Sequence, residues 1–333
     1  MSKRILTGDR PTGPLHLGHY VGSLVERLRF QNQENTECFF IIADYQVMTD
    51  RLDTRDVEKN ILEVAMDYLA VGIDPLRSTI FIQSRVPQLA ELFMYFSMLV
   101  SMSKVGRNPT VKEEVKSAGL GSTMSLGMFS YPVSQAADIL LFQANYVPVG
   151  EDQLPHIEMT RGIAKTFNRL YGDTFTVPEA VVSNIPRLLG LDANQKMSKS
   201  RKNAIYLSDT PDDIKSKIKT AVTDSDTEIR FDLKEKPAIS NLLIMYQTAS
   251  GLDMQEVEAY FSGKGYGFLK QQLTDVLIAF LGPIRAKRQV YKSDLGLVAK
   301  ILCRGTSQAI AYGEETMKQV RSAVNYNFPN IYR

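Results

Sequence analysis

A chain of 333 residues, 44% hydrophobic and 23% charged, has the composition of an ordinary globular protein and the length for two domains of about 100–200 residues each. A net charge of +2 excludes a global basic footprint, so any contact with nucleic acid must come from a local patch. No apolar stretch reads as a signal peptide or membrane span, and Cys38 and Cys303, without CxxC spacing, read as two reduced, buried thiols of a cytoplasmic protein rather than a zinc site.

Ile5–Gly8 reads as a short buried strand, followed by the polar loop Asp9–Gly13. His16–Phe30 then reads as a helix, with Leu17, Val21, Leu24 and Leu28 at helical spacing. Cys38–Ala43 is apolar on both faces, which suits the middle of a parallel sheet, and it ends at Asp44. Arg55–Val71 is an amphipathic helix, broken by Gly72-Ile73-Asp74-Pro75. Thr79–Ile82 is another buried strand, ending at Gln83, and Gln88–Ser103 is helical. Residues 104–123 are polar and glycine-dotted and read as a loop or insertion at a subunit contact. Strands alternating with helices imply an α/β fold with a doubly wound parallel sheet, whose ligands sit at the carboxyl ends of the strands. From about Asp209 strand-like runs disappear. Asp212–Val222, Ile239–Ser250, Met254–Phe261, Phe268–Tyr291 and Leu297–Asn325 read as helices, and Asn325–Arg333 as a loose tail. The expected division is a Rossmann-type domain over 1–205 and an all-helical domain over 206–333.

Two short strings carry the chemistry. In the first, Gly8–His19, two glycines and two prolines fix a tight turn, and the helix that follows aims free N–H groups at whatever sits above the loop. His16 and His19 share one face of the first helical turn and can both donate to phosphate oxygens. Gly18 between them lets a flat base or ribose approach the backbone. The second is Lys196-Met197-Ser198-Lys199-Ser200. Read alone it is a solvated basic loop. Read with the first it is a loop that closes on a triphosphate and stabilises departing pyrophosphate. A third constellation, Tyr131, Gln135 and Asp138, falls on one helical face with the carboxylate among apolar residues. Its alternative is a surface salt-bridge partner.

The HxGH and KMSKS strings resemble the class I aminoacyl-tRNA synthetases. Val147–Gln153, His156–Arg161, Ala136–Leu141, Phe81–Ser84 and Ala221–Ser225 narrow that resemblance, over nearly the whole chain, to the tryptophanyl-tRNA synthetases. The resemblance implies a Rossmann catalytic domain with a helical anticodon-binding domain. It implies ligation of L-tryptophan to tRNA(Trp) through tryptophanyl-adenylate, with ATP and Mg2+, release of diphosphate and AMP, and a homodimer. By resemblance, Arg10, Pro11, Thr12, Gly18, His19, Gly150, Glu151, Asp152, Arg187, Leu188 and Lys196–Ser200 bind ATP, with His16, His19, Lys196 and Lys199 as the catalytic groups. Asp138 then accepts the indole N–H, Tyr131 and Gln153 hold the amino group, and Gly8 and Gln135 complete the substrate pocket. No protein-bound metal site is implied.

Departures from the common bacterial pattern occur at Arg10, Gln135, Asp44-Tyr45-Gln46 and His16–His19, and imply a divergent second bacterial type. Tyrosyl enzymes share the Tyr131–Gln135–Asp138 pattern. A buried carboxylate rejects phenylalanine but does not by itself separate tryptophan from tyrosine, so tyrosine stays open. Two further readings also remain: a nucleotidyltransferase, which can carry HxGH, and an RNA-binding paralogue. Arg285, Lys287, Arg288 and Lys292 form a basic stretch read as a solvated face or an anticodon contact.

Overall fold

A computed structural model describes residues 3–117, 119, 124–182, 188–199, 201–328 and 331. In chain order the first half comprises β1 (Lys3–Asp9), α1 (Leu17–His19), a π-type turn over Tyr20–Leu24, α2 (Val25–Gln31), β2 (Thr36–Ile42), α3 (Val57–Val71), β3 (Ser78–Ile82) and α4 (Pro87–Ser97). Then come α5 (Met102–Gly106), α6 (Pro109–Ser117), α7 (Leu126–Leu141), β4 (Tyr146–Val149), α8 (Leu154–Tyr171) and β5 (Glu179–Val182). The remainder is helical: α9 (Pro211–Thr220), α10 (Pro237–Ser250), α11 (Met254–Phe261), α12 (Tyr266–Ser293) and α13 (Leu295–Ala323).

All five strands pair in parallel, in the order β3-β2-β1-β4-β5. The chain winds outward from β1 in one direction and from β4 in the other. The crevice between their carboxyl ends is therefore the switch point where a doubly wound sheet binds its ligand. Strand side chains alternate between two apolar layers. Ile5, Cys38, Phe40, Ile42 and Ile80 face a core built with α3, α10 and α12. Leu6, Phe39, Ile41 and Phe81 face a core built with α4, α7, α8 and α13.

The last two helices return to the sheet. On α13, Gly305 lies where an added Cβ would stand 2.0 Å from the Ile80 carbonyl oxygen, so only glycine lets the helix seat on β3. Arg321 pairs with Glu91 of α4 at 2.6 Å. On α12, Arg288 enters the first core and its Nε donates to Asp67 of α3 at 2.7 Å.

Several expectations are corrected. The helix expected over Gln88–Ser103 stops at Ser97, and a new helix begins after Ser101, whose hydroxyl accepts the Lys104 N–H. Most of 104–123 is helical rather than loop. Pro109 is preset for a first helical turn and Val111 is buried, which ties α6 down despite its polar composition. Residues 118 and 120–123 of that stretch lie outside the described residues. The helix expected over His16–Phe30 is present but widened by the π-type turn. Cys303 is exposed on the outer face of α13, whereas Cys38 is buried as expected. Tyr326 of the expected loose tail rests its ring 6.0 Å from that of Tyr95.

Candidate active site

A cleft of about 1280 Å³ opens at the switch point. Its lining brings together Gly8, Arg10, Thr12, His16, Gly18, His19, Tyr131, Gln135, Asp138, Gly150, Glu151, Asp152, Gln153, Leu188, Lys196 and Met197 from the expected set. Pro11, Ser198 and Lys199 do not line it, though Pro11 and Ser198 each adjoin in chain order a residue that does and Lys199 contacts the lining Thr12, and Arg187 and Ser200 lie outside the described residues.

The floor is β1. An added Cβ at Gly8 would sit 1.9 Å from the Ile41 carbonyl oxygen, so β1 and β2 can approach only with glycine there. Asp9 closes the strand and pairs with the buried guanidinium of Arg27 at 2.8 Å while accepting from the Tyr68 hydroxyl at 2.8 Å. Burial opposes its charge, but the Arg27 cation and the Tyr68 hydrogen bond outweigh that and bring its carboxyl down to about 2. Arg10, next along, pairs with Asp50.

The histidines open the helix above this floor. The His16 N–H donates to His19 Nδ1 at 3.2 Å, and the two rings lie 3.8 Å apart. Burial and the neighbouring cations drive His16 down to about 2 and His19 to about 4, so both rings are neutral at pH 7. Because Nδ1 of His19 accepts, its proton sits on Nε2 and is available as a donor. His16 Nδ1 is buried without a hydrogen-bond partner among the described residues. A buried polar atom of this kind at the mouth of a cleft is suited to a polar group of a ligand. A side chain at Gly18 would press against the His16 ring at 3.0 Å and Met197 at 3.5 Å.

The second string is held over the first by backbone pairing and one buried anchor. The Leu17 N–H donates to the Ile205 carbonyl at 2.8 Å, and the Leu207 N–H to the Leu15 carbonyl at 3.0 Å. Met197 is 1% exposed and pins the loop into the first core. The Ser198 N–H donates to Asn203 Oδ1 at 2.8 Å, and the Asn203 amide is fixed in turn by Asp192. Lys199 thereby reaches across the fold, its Nζ donating to the Gly13 carbonyl at 2.6 Å and to Thr12 Oγ1 at 3.3 Å. Burial lowers its ammonium to about 8, with Asp9 and Asp67 opposing the fall. Asp67 also accepts the Leu15 N–H at 2.6 Å, so Arg288, Asp67 and the loop before His16 form one buried chain.

The far end of the cleft is α7, which presents Tyr131, Gln135 and Asp138 along one face as their spacing predicts. Asp138 is 4% exposed and both its oxygens accept from Gln83 Nε2 at 2.8 Å. It is not a surface ion-pair partner. Burial pushes its carboxyl up to about 7, with the Gln83 bond opposing. Gln83 is held by the Tyr45 N–H on its Oε1 at 3.1 Å. The Tyr131 hydroxyl meets His156 Nε2 at 2.8 Å.

Residues that sequence reasoning did not assign include Asp9, Asp50, Glu114 and His156. Asp9 carries a signal at the strand end. The others depend on contacts between distant segments. Among the described residues, no group of three or more His, Cys, Asp or Glu side chains could hold a metal ion, and no helix is long and apolar enough to cross a membrane.

A profile of the family described as tRNA synthetases class I (W and Y) matches residues 2–282. The chain is 44% identical over 338 residues to a tryptophan–tRNA ligase of Clostridium longisporum, covering 98% of each. Among solved structures it resembles the tryptophanyl-tRNA synthetase of Campylobacter jejuni complexed with ADP and tryptophan. The TM-score is 0.81 at 33% identity, covering 97% of this chain and 99% of that one. The Mycoplasma pneumoniae tryptophanyl-tRNA synthetase gives a TM-score of 0.88 at 29% identity, covering 99% and 100%.

Proposed function

The chain belongs to the class I tRNA synthetases of the tryptophan and tyrosine branch, and from that premise we propose that it ligates L-tryptophan to tRNA(Trp) through tryptophanyl-adenylate. One observation carries the reading: a single cleft joins two neutral histidines at a helix start, a lysine loop clamped over them, and a buried carboxylate at the far end. Tyrosine is not favoured, since relatives above 40% identity along the whole chain carry the tryptophan activity.

ATP enters as its Mg2+ complex, the ion travelling with the phosphates as part of the substrate. Its phosphates lie over Arg10–Thr12, His16 and His19, the ribose against Gly18 and Gly150–Asp152. The His19 Nε2–H, and the unpartnered His16 Nδ1 in the tautomer that places the ring's proton there, are neutral donors for phosphate oxygens. Tryptophan sits with its indole N–H on Asp138, its amino group at Tyr131 and Gln153, and Gln135 and Gly8 walling the pocket. A carboxylate oxygen of tryptophan attacks the α-phosphorus. The bond from that phosphorus to the bridging oxygen breaks, and pyrophosphate leaves with its developing charge met by Lys196 and Lys199. The 2′-hydroxyl of the terminal adenosine of tRNA then attacks the acyl carbon and AMP leaves.

The same reading divides the chain into a catalytic domain over 1–205 and a helical tRNA-binding domain over 206–333, supported by the named elements after β5, which among the described residues are all helices. It also makes the protein a cytoplasmic homodimer. Met94, Met98, Met102 and Leu126 are exposed apolar side chains that a second copy would cover in such a dimer. Amino-acid-dependent exchange of labelled pyrophosphate into ATP tests the reading. Tryptophan should drive it and tyrosine should not. Exchange driven by tyrosine would move the chain to the other branch. Exchange without charging of any tRNA would make it a nucleotidyltransferase, and inactivity of the folded protein would leave an RNA-binding paralogue.

A further inference from the structure

Helix α6 contributes nothing to the motifs, yet its first turn is wired into both halves of the cleft. Thr110 Oγ1 donates to the Asp152 carbonyl at 2.7 Å, bracing the Gly150–Gln153 loop. The Thr110 N–H donates to Asn108 Oδ1 at 3.0 Å. That bond decides which way the Asn108 amide points, because its oxygen is spoken for and its NH2 must face the other way. The other way lies His156 Nδ1, 3.1 Å from Asn108 Nδ2. His156 is fully buried, and its second nitrogen, Nε2, stands 2.8 Å from the Tyr131 hydroxyl.

We propose that Asn108 and His156 are positioning residues that fix the direction of the Tyr131 hydroxyl, sending its proton toward Glu114 and one lone pair toward the amino acid. The direction runs along the chain. The Asn108 NH2 donates to Nδ1, so Nδ1 carries no proton. A neutral ring then has its proton on Nε2, and Nε2–H donates to the Tyr131 oxygen. The hydroxyl proton is turned away from His156, and the second lone pair of the oxygen is left for an ammonium group. Neutrality follows from the surroundings. Burial lowers His156 to about 4, with Asp152 opposing. The ionisable groups around the ring are Tyr131 from α7, Glu114 from α6 and Asp152 ahead of α8, while Arg10 bears on Tyr131 from the β1 side. Glu114 is held toward its neutral form by burial, and its contact with the Tyr131 hydroxyl gives that proton a place to go. The inference rests on the proposed amino-acid site, but the tautomer is independent of catalysis.

The test therefore has two readouts. The chain contains three histidines, so 15N shifts of labelled protein can be assigned to His156 by comparison with His156→Gln. Wild type should show a protonated Nε2 and a bare Nδ1 across pH 6–8. Asn108→Asp is nearly isosteric and reverses the wiring, since a carboxylate accepts from both Thr110 N–H and Nδ1–H. Nε2 then becomes an acceptor, or the ring becomes cationic. In the first outcome the hydroxyl proton turns to Nε2 and Glu114 loses its donor, so the phenol oxygen is no longer held in the orientation that faces the amino acid, and the second outcome places a cation beside the ammonium group. The KM for tryptophan in pyrophosphate exchange should rise about tenfold, the scale of one lost hydrogen bond. KM for ATP should stay within about twofold on the same basis. The ratio of variant to wild-type KM for tryptophan should vary with pH between 5 and 8, because the introduced carboxylate raises the His156 imidazole from about 4 toward its ordinary range. Asn108→Ser removes the bias without reversing it and should raise KM less, which keeps the test alive if the aspartate variant does not fold. A wild-type Nδ1–H tautomer, or an unchanged tryptophan KM in a folded Asn108→Asp protein, overturns the proposal. Correct shifts with no exchange for any amino acid would overturn the functional reading and leave the wiring standing.

Discussion

Replacing Asp138 with asparagine exchanges one oxygen for an NH2 and removes an ionisation that the fold opposes. Burial is the main cause, with the Gln83 bond working against it and Asp44 adding to it, and together they move the carboxyl from 3.8 to about 7. At about 1.4 kcal/mol per pH unit, ionising Asp138 in the ligand-free protein costs about 4 kcal/mol of stability. The pKa is raised on folding, so the cost is absent below 3.8, grows toward about 7 and is constant above it. Asparagine carries no such cost, but gives up one oxygen facing Gln83, worth about 1 kcal/mol. Asp138→Asn should thus be slightly less stable than wild type at pH 4 and about 3 kcal/mol more stable at pH 8. Urea denaturation of the ligand-free proteins between pH 4 and 8.5 measures the difference. A difference that stays flat with pH would refute the burial argument. Function should move the opposite way. The Tyr45 N–H pins the Gln83 oxygen, so Gln83 keeps offering its NH2. The oxygen of the introduced amide turns to meet it, leaving the new NH2 facing the indole N–H, and tryptophan binding should weaken by about 2 kcal/mol or more. In wild type, an indole donor favours the carboxylate, so tryptophan should bind more tightly as pH rises through about 7.

Lys199→Ala should lower the adenylation rate far more than ATP affinity in single-turnover experiments, because a contact that strengthens with leaving-group charge acts on the transition state. The Lys199 ammonium sits near 8, so exchange activity should fall as pH rises past that value, and Lys199→Arg should remove the alkaline fall attributable to this group. Arg288→Met leaves Asp67 buried beside the Leu15 N–H without its cation. The folded state should lose about 3–5 kcal/mol in guanidinium denaturation. The loss should be larger at pH 8 than at pH 5, since Asp67, already raised to about 6 by burial, can escape by protonating at low pH. Gly305→Ala drives a methyl into the Ile80 carbonyl oxygen and should cost about 1–3 kcal/mol by differential scanning calorimetry, with α13 displaced from β3.

What was legible in the sequence depended on how far apart the cooperating residues lie. Cys38–Ala43 declares a buried strand by its own composition, and Met254–Phe261 matches α11 to the residue because an Asp253 cap precedes one amphipathic stretch. His16 and His19 are three positions apart, and Tyr131, Gln135 and Asp138 fit one helix face, so local periodicity suffices to pair them. The strands β4 and β5, four residues each, are too short for period-two patterning to register. The groups that tune the site are joined over longer distances. Gln83 and Asp138 are 55 positions apart, Lys199 and Thr12 are 187 apart, and Arg288 and Asp67 are 221 apart. Nothing local marks such partners, because each contact exists only after the sheet has brought its strand ends together. This accounts for α6 as well. Its polar composition reads as loop, and what orders it is Val111 in the core and Thr110 on the Asp152 carbonyl, both supplied by tertiary structure. The reaction class follows from residues that are neighbours in sequence. The electrostatic settings of the same cleft, neutral histidines and a carboxyl near 7, follow from residues that are neighbours only in space. Substitutions at the motifs should therefore act first on the rate of adenylation, whereas substitutions at Asn108 or Gln83 should shift pH dependence and amino-acid binding first, and at Arg288 stability.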